Sequence, residues 1–456
     1  MIGVSGLRGT IGSTLSPETI IRWCSAFATY LKGNEQPANG THFVVVFGRD
    51  SRPSGTFVRD AATSALTASG IEVIDLGVVT TPGTAIMVGR LNADAGVVAT
   101  ASHNPIMWNG IKFLNRRMVA PPPSAVNRII ELYHASATSY AKVEQIVQPS
   151  QNSETNTYHV NRVLQHVDVL GISTKRFKVV LDSVNGAGSV SGATLLSKLG
   201  CSVIHLNAKP DGQFAHEPEP IAKNLTGLSD EVKRQKAHVG FAQDPDADRL
   251  AIVDDTGTFI GEEYSLALAA KYILSKKPGA IAAANLSTSR MLDDIAAAHG
   301  GRVLRTPVGE ANVADAMLRE GSIIGGEGNG GVIDPRIVPG RDSLVAMAYV
   351  LALLARENKP LSEIVDSIPR YQIIKDKFEC KREDANRAVE AVKKAFASEK
   401  VDLQDGIRID WPDSWVHARA SNTEPIMRII AEAPTREVAE ERIGAVKKVV
   451  DRTLGR

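Results

Sequence analysis

The sequence predicts an α/β protein built from mostly parallel sheets covered on both faces, and three observations predict it. Short apolar runs recur along the chain, each passing into a Gly- or Asp-rich loop and then into a helical pattern. That alternation is the signature of strands joined by covering helices. The length, 456 residues, corresponds to about three domains at roughly 150 residues each and is enough to bury several cores. The polar loops fall at the C-terminal ends of the runs, where sheets of this kind bind their ligands.

The elements follow in order. Ser16-Pro17-Glu18 reads as a helix start, an N-cap followed by proline at the first helical position. Phe43 to Phe47 runs into GRDSRPSG, Val73 to Leu76 precedes GVVTTPG, and Ala95 to Val98 runs into ATASHNP. Pro121-Pro122-Pro123-Ser124 punctuates another helix start. Gln148 to Asn156 is polar and without periodicity, which predicts a linker. Phe177 to Leu181 then runs into DSVNGAG, Val239 to Ala242 into QDPDADR, Ile281 to Ala284 into NLSTS, and Ile323-Ile324 into GGEGNGG. A hairpin-like turn at Val253 to Gly257 and a change of rhythm after Pro369-Arg370-Tyr371 suggest two further boundaries. The expected units are therefore 1–150, 151–254, 255–369 and 370–456. In the last, Ala439, Ile443, Val446 and Val450 mark one face of an amphipathic helix. No strict sequence repeat joins the units.

Composition narrows the function classes. With 52 basic and 51 acidic residues the net charge is +1, which argues against a nucleic-acid footprint, and no charged tail is visible. Cys24, Cys201 and Cys380 are far apart and form no CxxC. A disulfide framework or zinc site is therefore not expected, and a reducing cytoplasm is the expected compartment. The N-terminal MIGVSGLRGTIG lacks the features of a signal peptide, and no stretch approaches 18 apolar residues, so no membrane partner is expected.

Four stretches carry chemistry. In Gln243-Asp244-Pro245-Asp246-Ala247-Asp248-Arg249 three carboxylates alternate over five residues. In an extended segment they would share a face, at a cost that a hard cation such as Mg²⁺ would remove. An EF-hand is disfavoured because its sixth position needs glycine and here is Arg249. An acidic solvated turn stands as the alternative. In ATASHNP, Ser102 and His103 follow a strand. They are read either as a polar turn or as a nucleophile with a neighbouring base. A Ser–His–Asp hydrolase fits poorly, since the G-x-S-x-G elbow is missing and neighbours on an extended segment point apart. Gly325 to Gly331 holds Glu327 and Asn329 at its centre, with no Gly-Lys-Ser/Thr after it. Carboxylate plus amide suits adjacent sugar hydroxyls, and a flexible turn is the alternative. Arg419-Ala420-Ser421-Asn422-Thr423-Glu424-Pro425, with Arg428 beyond, offers guanidinium forks, hydroxyls and an amide for a phosphate dianion.

Together these stretches resemble the α-D-phosphohexomutase superfamily. Its four signatures appear in family order: TASHNP at 100–105, DPDADR at 244–249, GEGNGG at 326–331 and RASNTEP at 419–425. SGLRG at 5–9, GRDSRPS at 48–54, NGIK at 109–112, PDGQF at 210–214 and PEP at 218–220 agree. The resemblance implies three related mixed α/β domains plus a C-terminal α+β domain, similar to the TATA-box-protein-like fold, around a central cleft. It implies Ser102 as the phosphoserine donor, with one Mg²⁺ held by the Ser102 phosphate, Asp244, Asp246 and Asp248. Arg8, His103 and Lys112 match positions that contact the phosphoryl group or assist proton transfer, and Arg249 matches a substrate-loop arginine. Glu327 and Asn329 would read sugar hydroxyls. Arg419, Ser421, Asn422, Thr423 and Arg428 would hold the phosphate that is not reacting. The implied partners are hexose phosphates, with glucose 1,6-bisphosphate or a similar hexose bisphosphate as activator, and the implied state is a monomer or homodimer.

The implied reaction moves phosphate between the 6- and 1-positions of a hexose through a bisphosphate that turns over in the site. Lys112 is the first choice for the proton shuttle. With an ordinary value of about 10.4, it would need positive neighbours such as Arg8 to serve as a base. One departure stands out. Many bacterial members carry Ser-Gly-His in the sugar loop, whereas this chain has Asn329-Gly330-Gly331, so no role can rest on that histidine. The GEGNGG and SNTEP variants resemble the archaeal-type phosphoglucosamine and phosphomannomutase-like branch. The expected reaction is glucosamine 6-phosphate to glucosamine 1-phosphate, with a phosphomannomutase/phosphoglucomutase of broad sugar tolerance as the alternative. A phosphosugar-binding protein without turnover and a Mg²⁺-dependent phosphatase complete the readings.

Overall fold

Seven of the apolar runs are strands in the computed structural model, which describes residues 2–3, 6–420 and 426–455. They are Val44–Arg49, Glu72–Val78, Ala95–Ala99, Lys178–Asp182, Val239–Gln243, Ile281–Asn285 and Ile324–Glu327. All seven pair in parallel with a neighbour, as strands buried on both faces do.

Four sheets result. The first has seven strands in the order Ile2–Gly3, Gly6–Thr10, Trp108–Asn115, Ala95–Ala99, Val44–Arg49, Glu72–Val78, Ser150–Gln151. Ser150–Gln151 lies inside the polar stretch expected to be a linker, yet it pairs in parallel with Ile74 and Asp75. An edge strand needs only backbone groups, so no apolar pattern announces it. The second sheet runs Leu250–Val253, Val239–Gln243, Lys178–Asp182, Ser202–Leu206. The third runs Arg302–Thr306, Ile281–Asn285, Ile324–Glu327, Gly331–Ile333. Each of these ends in one antiparallel strand on an otherwise parallel sheet. The fourth, of five strands between Gln372 and Ala433, is antiparallel throughout. It packs against the helices Arg382–Ala395 and Arg436–Leu454. The fold is therefore three mixed α/β units followed by an α+β unit.

Local chemistry explains the helix ends. Ser16 Oγ accepts from the Thr19 amide at 3.3 Å and starts the helix Pro17–Asn34. Ala439, Ile443, Val446 and Val450 are all buried in the last helix, as their spacing predicts. Among the described residues no helix is long and apolar enough to cross a membrane.

The second and third sheets share one core. It includes Leu181 and Phe241 from one, Ala282 and Ile324 from the other, and nearly the whole helix Ser343–Glu357. That helix is apolar all round because it is buried all round. Leu351 in it is fully buried. Leu351→Ala is expected to cost about 2–5 kcal/mol, read as a lower urea midpoint; an unchanged midpoint would show that the two sheets are not tied through this helix.

Candidate active site

The loop after Ala95–Ala99 is built around two buried polar residues. Thr100 Oγ1 donates to Asp50 Oδ2 at 2.7 Å and accepts from the Ser102 amide at 2.8 Å. Arg52, fully buried, donates Nε to Asp50 Oδ2 at 3.0 Å. Its terminal nitrogens donate to the carbonyls of Ser102, Asn104, Pro105 and Trp108 at 2.6–3.0 Å. The loop is thus folded over one guanidinium. Ser102 is held at φ 51, the left-handed region that costs a non-glycine residue energy and marks functional turns. This corrects the extended geometry expected for Ser102 and His103. The turn does not splay the two side chains but brings Ser102 Oγ to 3.3 Å from His103 Nδ1. Burial, with the charge of Arg249, pushes His103 down to about 4, so it is neutral at pH 7.

Ser102 Oγ also donates to Asp244 Oδ2 at 3.1 Å. Asp244, Asp246 and Asp248 are fully buried, and ligand atoms of all three lie within 4.8 Å of one another. They converge through a turn and not through the extended strand the alternation suggests. The strand ends at Gln243, the Ala247 amide donates back to the Asp244 carbonyl at 2.9 Å, and Ala247 has φ 55.

This turn is gripped from all three α/β units. From the first, Thr81 donates its amide to the Asp246 carbonyl at 3.0 Å and its hydroxyl to Asp246 Oδ2 at 2.6 Å. Lys112 Nζ donates to the same oxygen at 2.9 Å. From the second, the Ala187 amide donates to the Pro245 carbonyl at 2.8 Å. From the third, Ser343 donates its hydroxyl to the Ala247 carbonyl at 2.7 Å, and Arg341 donates Nη2 to Asp248 Oδ2. Burial pushes Asp244 well up, and the charges of Asp248 and Asp246 add to the rise. For Asp246 burial acts in the same direction, but the Lys112 charge and the bonds from Thr81 and Lys112 outweigh it and hold the group low.

The donor set fits a hard cation. Asp246 Oδ1 and Asp248 Oδ1 are buried without a hydrogen-bond partner, a costly condition for carboxylate oxygens. Their other oxygens are committed to Lys112, Thr81 and Arg341. The unsatisfied oxygens, with Ser102 Oγ beside Asp244, form an all-oxygen set of the kind Mg²⁺ selects.

Other expected residues gather here. Arg8 lies opposite Gly110 on the neighbouring strand, two residues from Lys112, so both side chains rise from one face. A Cβ at Gly110 would lie 2.3 Å from the Leu7 carbonyl and 3.0 Å from Arg8 Cγ, so glycine lets the neighbouring strand and its arginine approach this closely. Burial holds Arg8 below the usual guanidinium range, against the pull of Asp246 and Asp248. The Arg249 amide donates to Asp244 Oδ1 at 3.1 Å. Lys112, however, donates to a carboxylate, and as an ammonium it has no acceptor site, so only after leaving Asp246 and losing a proton could it act as a base.

Glu327 ends its strand and pairs with Gly331 across a tight hairpin. Its Oε1 accepts from Asn285 Nδ2 at 2.8 Å and the Gly309 amide at 3.2 Å, and its Oε2 accepts from Arg341 Nη1 at 2.8 Å. Asn329 Oδ1, two residues on, is buried without a hydrogen-bond partner. The Leu250 amide donates to the Gly330 carbonyl at 3.0 Å, and a Cβ at Gly330 would lie 2.5 Å from the Leu250 carbonyl. Position 330 takes glycine because the segment leaving the acidic turn presses against it.

On the fourth sheet Arg419 and Arg428 sit directly opposite each other on adjacent strands, with Asp405 Oδ2 4.0 Å from Arg419 Nη1. Ser421, Asn422 and Thr423 lie outside the described residues. Sequence reasoning missed Thr81, Asp50, Arg52 and Arg341 as site residues. Asp50 and Arg52 stand inside the quoted GRDSRPS and Thr81 inside GVVTTPG, whereas nothing around Arg341 announces it.

Comparison with known proteins adds independent findings. Four family models match in order: phosphoglucomutase/phosphomannomutase alpha/beta/alpha domain I at 1–139, domain II at 157–257, domain III at 262–371 and the C-terminal domain at 377–448. The chain is 38% identical to a phosphoglucomutase/phosphomannomutase of Thermococcus kodakarensis, over 100% of this chain and 99% of the other. It is 37% identical to a protein of Methanopyrus kandleri described as "Probable phosphoglucosamine mutase", over 98% of each. Among solved structures, a phosphoglucomutase/phosphomannomutase family protein of Burkholderia thailandensis superposes with a TM-score of 0.85. The two are 26% identical over 99% of this chain and 98% of that one.

The acidic turn yields a direct test. Mg²⁺ at 100 times its Kd is expected to stabilise the protein by about 2.7 kcal/mol, read as a rise in melting midpoint that Asp246→Asn and Asp248→Asn remove. A midpoint indifferent to Mg²⁺ would contradict the cation site.

Proposed function

The chain belongs to the phosphoglucomutase/phosphomannomutase family within the α-D-phosphohexomutase superfamily, and we propose that it interconverts glucosamine 6-phosphate and glucosamine 1-phosphate. Family membership makes it a hexose phosphate mutase. The observation that supports the chemistry is the contact of Ser102 Oγ with Asp244 inside the buried acidic turn.

Asp244, Asp246 and Asp248 would hold Mg²⁺ together with a phosphate on Ser102. Bound there, the ion supplies positive charge against the negative charge that builds on the transferring phosphoryl oxygens. The chain's own groups do the rest. Glu327 and Asn329 orient the sugar by its hydroxyls, while Arg419, Arg428, Ser421, Asn422 and Thr423 grip the distal phosphate. The sugar's free hydroxyl attacks phosphorus and the bond to Ser102 Oγ breaks. The hydroxyl proton passes to Lys112 after its ammonium has left Asp246 and given up one proton to solvent, with neutral His103 adjacent. The bisphosphate turns over, its original phosphoryl group returns to Ser102 Oγ, and the proton goes back to the newly freed sugar oxygen. The phosphate grip and the hydroxyl reader therefore have to accept two opposite orientations.

A second reading, broad phosphomannomutase/phosphoglucomutase activity, is favoured by the name of the 38%-identical Thermococcus relative. Comparison of kcat/KM on glucosamine, mannose and glucose 6-phosphates separates the two. Preference for glucosamine is expected, and equal values would favour the second reading. Lys112→Met is expected to lower kcat by about 10²–10⁴-fold with sugar KM little changed; normal turnover would remove Lys112 from the proton-transfer step.

A further inference from the structure

Gly331 leaves the sugar loop without a side chain at that position, and the structure shows what fills the space. A Cβ built at Gly331 would meet Arg341 Cδ at 2.2 Å and Cγ at 2.8 Å. Arg341 therefore lies where a side chain at 331 would begin. It is 8% exposed and touches three carboxylates. Nη1 donates to Glu327 Oε2 at 2.8 Å, Nη2 donates to Asp248 Oδ2, and Nε lies 3.5 Å from Glu310 Oε2. Its own amide donates to Glu310 Oε1 at 2.7 Å.

The two Nη contacts join different loops. Glu327 belongs to the glycine-rich hairpin and Asp248 to the acidic turn. A guanidinium is planar and rigid, so one fork holding two carboxylates sets the distance between them in a way a lysine ammonium cannot. The remaining oxygen of Asp248 stays available to a cation, as Oδ1 has no hydrogen-bond partner. The remaining oxygen of Glu327 is fixed by Asn285 and Gly309.

We propose that Arg341 is a positioning residue that takes the place of the missing side chain at 331 and, by holding Glu327 to Asp248, sets the distance between the sugar reader and the point of phosphoryl transfer. This rests on the mutase reading above. One clamp then serves both orientations of the sugar, because Glu327 keeps its place relative to the acidic turn while the bisphosphate reverses. A loosened clamp lets that intermediate leave, so its other consequence is a greater need for added hexose bisphosphate.

Two variants test it. Arg341→Lys keeps the charge but not the fork, and Gly331→Ala displaces the arginine without changing it. In both, kcat/KM is expected to fall by about tenfold to hundredfold, as small misplacements cost, with sugar KM raised. The glucose 1,6-bisphosphate concentration needed for half-maximal rate rises too. The Mg²⁺-induced rise in melting midpoint is expected to persist, since Asp248 keeps an oxygen for the ion. Partial rescue of Arg341→Ala by added guanidinium would support the same geometry. Wild-type kcat/KM and bisphosphate dependence in both variants would overturn the proposal. So would loss of the Mg²⁺ shift in Arg341→Lys, which would make the residue a support of the acidic turn. A wild-type protein that interconverts none of the three hexose phosphates would instead sink the mutase reading itself.

Discussion

Three carboxylates share one buried turn, and much of the molecule is arranged to make that tolerable. Like charges a few ångströms apart in a poorly screened interior repel by several kcal/mol. Asp244, Asp246 and Asp248 are fully buried, so the repulsion has to be met by donors. They come from every α/β unit: Lys112 and Thr81 from the first, the Arg249 amide from the second, Arg341 from the third. Two carboxylate oxygens are still left without a hydrogen bond, and those point to the cation that completes the balance.

The same turn explains why the three units are held as one. The Asp246 carbonyl accepts from Thr81, the Pro245 carbonyl from Ala187 and the Ala247 carbonyl from Ser343. Three peptide groups of one loop thus bond to all three α/β units, each at the start of a helix, while the second and third sheets share the core around Ser343–Glu357. Ser102 is brought to the turn from the opposite direction by Arg52, whose guanidinium organises the carbonyls of its loop. The strained φ at Ser102 is held in place by that network. The fourth unit is antiparallel and has its own core, and it is tied to the third by the Arg290 amide donating to Glu432 Oε1 and by the Ser287–His417 hydrogen bond.

The sequence made much of this legible, and the reasons for the misses are physical. Ala95 to Val98 and Val239 to Ala242 could be read as strands because burial on both faces leaves a continuous apolar run. Ser150–Gln151 could not, since an edge strand is defined by backbone pairing alone. The alternation of Asp244, Asp246 and Asp248 pointed to one shared ligand, but through the wrong geometry. A left-handed Ala247, not a pleated strand, makes them converge. Ser102 and His103 were expected to diverge for a similar reason, because nothing in a serine's identity signals φ 51. Arg341 was invisible for another cause. It lies ten residues beyond the gap it fills at Gly331, and only coordinates show that a missing side chain and a distant arginine occupy the same space.

The central claim is that an ion held by the acidic turn lies within ligand reach of the group carried on Ser102. The most direct measurement is ³¹P NMR of the Ser102-phosphorylated protein titrated with Mn²⁺. The account predicts that the phosphoserine resonance broadens beyond detection at stoichiometric Mn²⁺ and returns when Mg²⁺ displaces it. A resonance that stays sharp with Mn²⁺ bound would place the ion far from Ser102 and contradict the account.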